Sequence, residues 1–160
     1  MDLDRPLELD KLAAQEAVEL RAFDHDAAWR LGSGLRDRAA TAGYGIAIDI
    51  RRPTGAVLFH AALPGATADQ EEWIRRKVAV VWRFEASSAL VSARLRAAGK
   101  VATDPAAGWL AAADYAVTGG AVPIRVAGAG IVAALTVSGL SSVADHRLAV
   151  DAIVRLRDDV

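Results

Sequence analysis

The chain has 160 residues, the length of one ordinary domain, and can bury a core without disulfides or metal. Lys and Arg number 19 against 20 Asp and Glu, a formal net charge of -1, so no basic field exists to hold nucleic-acid phosphates. Cysteine is absent, which excludes disulfides, iron-sulfur clusters, thiol catalysis and thiolate zinc sites together.

The start, Met-Asp-Leu-Asp-Arg-Pro, has no cationic segment leading into an apolar one, so a cytoplasmic protein without a signal peptide is expected. Leu9, Leu12, Ala13, Ala17 and Leu20 recur at helical spacing and predict a helix over residues 8–21. Asp24 is placed to cap a second helix carrying Ala27, Ala28, Leu31 and Leu35, ending before Gly43. Gly32 and Gly34 inside it each cost about 1 kcal/mol relative to alanine, and close packing is the expected reason.

Residues 44–51 alternate and are rich in β-branched side chains, and Arg52-Pro53-Thr54-Gly55 supplies a turn before residues 56–60, so a hairpin is predicted. Thr67 followed by Gln70 is a capping-box pattern opening a third helix that runs to about Phe84. Ser87 and Ser88 open or kink a continuation up to Gly99, and Thr103-Asp104-Pro105 marks a loop. Strands are predicted over 121–126 and 130–137, with Pro123 on an edge strand, and Ser141 and Ser142 begin a last helix. The apolar tract from Val126 to Val137 is too short and too glycine-rich to anchor in a membrane. These elements make an antiparallel β-sheet flanked by α-helices, an α/β (α+β) arrangement, as one domain over residues 1–160.

Few motifs carry chemistry. Gly128-Ala129-Gly130-Ile131-Val132-Ala133 fits a loose dinucleotide-binding pattern, but residues 131–137 have the composition of a strand where that pattern needs a helix, so it reads as a glycine turn. Arg76 and Arg83 lie two turns apart on one predicted helix face, able to hold an anion or simply to balance Asp69, Glu71 and Glu72. Lys77 leans to the apolar side beside Ile74 and Val78 and is the better placed to enter a pocket. His25, His60 and His146 lack the spacing of a helical metal site, and His60 is expected to be exposed. Asp145 is explained by helix capping or, with His146, by an acid/base pair. Gly119-Gly120 either permits a tight entry into the next strand or lets the backbone approach a flat ligand.

Taken in order, Ile48-Asp49-Ile50-Arg51, Phe59, Pro64-Gly65, Trp73-Ile74 with Lys77, Arg83-Phe84, Ser87-Ser88, Tyr115 with Gly119-Gly120 and Pro123-Ile124, and Thr136 to Leu140 with Asp145-His146 resemble uncharacterised protein family 0303. That family is a branch of the haem-degrading-domain (GlcG/HbpS-like) superfamily, and the likeness spans almost the whole chain. It implies a profilin-like sandwich assembled into homo-oligomers, which agrees with a hydrophobic content of 53 % and a mean hydropathy of +0.22. The cofactor is unknown; haem enters through the superfamily alone. Thr118 stands where that branch is expected to carry histidine, which puts axial haem ligation at that position in doubt.

The ligand site implied by the charged and hydroxyl groups of these motifs comprises Lys77, Arg83, Ser88, Asp145 and His146, with a small anion or a tetrapyrrole as the ligand and no metal. Three functions are expected, in this order: a small-ligand-binding oligomer, a structural or adaptor oligomer, and an enzyme acting on a small anionic metabolite.

Overall fold

Leu9 begins a helix on a backbone that turns at Glu8, but the helical run stops at Gln15, far short of residue 21 (α1, Leu9–Gln15). Glu19–Leu20 is instead a two-residue strand, β1. Glu16, between them, is bound elsewhere: its carboxylate accepts the Ser87 amide at 2.9 Å and pairs with Arg125 at 3.3 Å. These tertiary partners outweigh the helical periodicity of Ala17 and Leu20. The structure is a computed structural model that describes residue 3, residues 6–100 and residues 109–159. The predicted loop at Thr103-Asp104-Pro105 lies outside the described residues.

The other elements follow their local signals. Helix α2 (His25–Ala42) starts where Asp24 accepts the Ala27 amide at 2.8 Å and ends at Gly43, whose φ of 74° suits glycine. Strands β2 (Ala47–Arg51) and β3 (Val57–Ala62) form the expected hairpin, pairing Ala47 with Ala62 and Ile50 with Phe59. Helix α3 (Ala68–Phe84) opens where Gln70 Oε1 accepts the Thr67 amide at 2.6 Å. It breaks at Glu85, with φ 52°, and α4 (Ser88–Ala97) restarts as a separate helix capped by Ser87. Strands β4 (Ala121–Val126) and β5 (Gly130–Ser138) flank the Gly128-Ala129-Gly130 turn, and α5 (Ser142–Asp158) is capped by Ser141.

The strands make one sheet in the order β1-β4-β5-β2-β3. All neighbours are antiparallel except β1, which runs parallel to β4 and meets it only at Arg125 and Val126. Strand β4 is therefore not an edge along its whole length, yet Pro123 lies beyond the reach of β1 and its missing donor costs no ladder bond there. Alternation sends Ile48, Ile50, Ile124, Leu135 and Val137 into the main core beneath α2 and α5. The opposite face packs Ala121 and Ala134 against Val78 and Val81 of α3. Among the described residues no helix is long and apolar enough to cross a membrane.

Candidate functional site

Small residues let α3 lie close to the sheet, and this brings Lys77 to the end of β5. Gly120, at φ 138°, leaves room that a side chain would occupy: a Cβ there would collide with Val137 O and approach Lys77 Nζ to 2.8 Å. Gly119 is pressed against the first turn of α5, where a Cβ would strike Ser142 O. The glycine pair thus serves close packing around a buried ammonium group.

Lys77 Nζ donates to Val137 O at 3.2 Å and to Asp145 Oδ2 at 3.1 Å, and both residues of the pair are at most 3 % exposed. Asp145 does not cap its own helix, a role that Ser141 fills. It accepts the Leu140 amide at 3.0 Å and the Gly139 amide at 3.3 Å, tying down the turn between β5 and α5. Burial pushes the Lys77 ammonium below its usual range and the Asp145 carboxyl above its own; their attraction and the two amides oppose but do not cancel this.

Above the pair opens a cleft of about 500 Å³. Trp73 and Arg76 form one wall, with the guanidinium 4.4 Å from the indole centroid, and Tyr115 and Thr118 form the other. The second wall is held to α3 by one backbone and one side-chain contact: the Ala116 amide donates to Arg76 O at 3.0 Å, and the Arg75 guanidinium donates to Ala113 O at 2.8 Å. Lined by aromatic and charged side chains, the cleft is suited to a flat molecule that packs on an aromatic ring while an anionic group meets Arg76.

Of the five residues expected to act together, Lys77 and Asp145 line this cleft and the other three do not. Arg83 is exposed one stretch along α3, with its guanidinium 5.2 Å from the Tyr115 ring, 5.6 Å from Phe84 and 5.9 Å from Trp109, so it buttresses the wall from behind. Ser88 is fully buried and its hydroxyl accepts the Ala121 amide at 3.1 Å. His146 is 1 % exposed and faces α1, with Nε2 2.8 Å from Gln15 Oε1. With the proton on Nε2, Nδ1 has no hydrogen-bond partner among the described residues, and burial lowers the imidazole pKa to about 4. Asp145 and His146, adjacent in sequence, thus point to different neighbours, and no hydrogen bond joins their side chains among the described residues.

Trp73 and Tyr115 were in the sequence motifs but not in the expected site; their aromatic type beside charged residues was the available signal. His60 is exposed as expected, yet it bridges the fully buried Asp49 at 3.1 Å and Glu71 at 2.8 Å, with Arg51 held to Asp49 through two contacts of 2.6 and 2.8 Å. No group of three or more histidine or carboxylate side chains able to hold a metal occurs among the described residues.

Comparison with known proteins places these features in context. The family described as "Haem degrading protein HbpS-like" matches residues 23–154. A UPF0303 protein of Acidobacterium capsulatum is 49 % identical over 146 residues, covering 91 % of this chain and 87 % of that protein. Among solved structures, the Ybr137w protein superposes with a TM-score of 0.86 at 29 % identity, covering 97 % of this chain and 90 % of its own. The PduOC protein, solved as a haem complex, shares the fold with a TM-score of 0.66 at 18 % identity, covering 83 % and 94 %.

Proposed function

The chain belongs to the HbpS-like family of haem-degrading proteins, and on that premise we propose that it is a small-ligand-binding domain whose cleft takes a flat, carboxylate-bearing molecule. The carrying observation is the placement of the stacked Trp73–Arg76 pair over a cleft of about 500 Å³ whose floor is the buried Lys77–Asp145 pair. Arg76 spends one long contact, Nη1 to Ala112 O at 3.5 Å, and its remaining donors can meet a carboxylate, while aromatic side chains of the cleft suit a planar ring.

Haem is the partner of one structural relative, PduOC. The described lining here does not fit an iron held by histidine, cysteine or methionine, because none of these lines the cleft and Thr118 occupies its wall. Among the described lining residues, Tyr115 is the one side chain of a type that ligates haem iron. Tetrapyrroles therefore fall within the proposed class through their ring and carboxylates, with no step assigned to iron.

Self-association in the cytoplasm completes the proposal. Trp29 and Val57 are 65 % and 53 % exposed, and β3 is a free edge of the sheet, which supports a covered surface in solution. Light scattering at micromolar concentration checks the assembly, and fractionation of cells checks the compartment.

The binding test is thermal shift and absorption titration with haem, metal-free porphyrin and aromatic carboxylates. A ligand raises the melting temperature, and Arg76→Gln weakens it about ten- to hundredfold, as the loss of one charge-assisted contact predicts. If none of the panel binds, or if Arg76→Gln leaves affinity unchanged, the cleft is not the site and an adaptor oligomer is the better reading.

A further inference from the structure

A second concavity lies between α2 and α5, on the face of the molecule covered by those helices and separate from the cleft of Lys77. Its volume is about 330 Å³. Arg30, Gly34 and Arg38 follow one another at four-residue intervals along α2 and so share one stripe, and Ala152 and Arg155 line it from α5. The two small residues open the notch, and three arginines line it against a single carboxylate, Asp159, so positive charge is in excess.

Gly34 needs an explanation that packing does not supply. At Gly32 a Cβ would run into the Phe59 ring, so close contact accounts for that glycine. At Gly34 the only neighbour of a Cβ is Arg38 Nη1 at 3.3 Å. That atom is the free end of a flexible side chain folded back over the helix, so a Cβ would shift the Arg38 guanidinium by only a few tenths of an ångström.

The charges there are not arranged as stabilising pairs. Neither Arg30 nor Arg38 makes an ion pair within 4.0 Å among the described residues, while Arg155 gives its Nε to Asp151 at 2.7 Å and keeps its terminal nitrogens clear of that contact. Burial, and then the like charge of Arg155, hold Arg38 below the ordinary arginine range, with Asp151 and Asp159 offsetting this in part. Two like charges brought together over a glycine that weakens its helix form an arrangement that a bound anion relieves.

We propose that this notch is an anion-binding site for a phosphate monoester, held by Arg30, Arg38 and Arg155. A carboxylate is satisfied by two parallel bonds from one guanidinium fork, whereas a tetrahedral dianion can accept from more than one fork at once, and three arginines line this notch. The space left beyond a phosphoryl group admits a small organic substituent.

Calorimetric titration at low salt, with inorganic phosphate, phenyl phosphate and acetate, tests this. Both phosphates bind with Kd on the order of 1 mM or tighter, and acetate binds at least tenfold more weakly. Arg38→Gln weakens phosphate about tenfold or more while the melting temperature holds or rises, because the variant removes a like-charge contact. Gly34→Ala raises the melting temperature with helix propensity and shifts the guanidinium only slightly, so phosphate affinity falls by less than it does in Arg38→Gln. Absence of phosphate binding at about 10 mM, equal affinity for acetate, or binding that survives Arg38→Gln and is lost in Arg76→Gln each overturns the proposal. The last outcome also assigns the anion to the other cleft, so the two sites fail independently.

Discussion

Replacing Lys77 with methionine isolates the energetics of the buried pair. The unbranched stem is kept out to its fourth atom, and what is lost is the ammonium that contacts Asp145 at 3.1 Å in surroundings where both residues are at most 3 % exposed. A buried carboxylate stripped of its partner costs about 3 to 5 kcal/mol. The lower end applies here, because Asp145 keeps the amides of Gly139 and Leu140 and can take up a proton. For a domain of this size, about 3 kcal/mol lowers the melting temperature by roughly 6 to 12 °C.

The pH dependence gives the sharper check. Burial already raises the Asp145 carboxyl, and removing Lys77 removes the largest influence opposing that. In the variant the folded state then binds more protons than the unfolded chain above the ordinary aspartate range, so stability falls as pH rises and the deficit relative to wild type grows from acid to neutral pH. Adding Asp145→Asn recovers at least half of the loss, since no charge is left uncompensated. Scanning calorimetry of the three proteins at several pH values is the assay. A deficit under about 2 °C for Lys77→Met, or one that does not change with pH, refutes a buried, mutually dependent ion pair.

His146 predicts an acid-sensitive fold: its folded pKa is about 4 against about 6.5 unfolded, so the unfolded chain takes up a proton that the folded chain refuses. Stability is full above about pH 6.5 and declines as pH falls toward 4, a loss of about 2 kcal/mol at pH 5 that urea denaturation detects and that His146→Gln abolishes. Ser88→Ala leaves the buried Ala121 amide without its acceptor and costs about 1 to 3 kcal/mol of stability, with no change in affinity for a cleft ligand; reduced affinity at unchanged melting temperature would return Ser88 to the binding site.

Much of the fold was legible in local chemistry. Asp24, Thr67 with Gln70, Ser87 and Ser141 each mark a helix start found in the structure, and the turn chemistry at 52–55 and 128–130 yields the two hairpins. Capping and tight turns depend on residues three or four apart, so the sequence displays both partners side by side. The last turn of the predicted first helix failed for the opposite reason: Glu16 and Leu20 answer to Ser87, Arg125 and Ala127, residues more than 70 positions away.

The site divides along the same line. Residue type and helical facing were enough to select Lys77 as a buried cation, because its neighbours Ile74 and Val78 lie on the same helix face. Which carboxylate meets it was set by a contact across 68 residues of chain, and Ser88 and His146 are turned from the cleft by partners 33 and 131 residues away. Asp145 and His146 show this most plainly. Adjacent residues on a helix point about 100° apart, so packing α5 between the β5 turn and α1 sends one side chain to Lys77 and the other to Gln15, and no local pattern encodes which neighbour each will find.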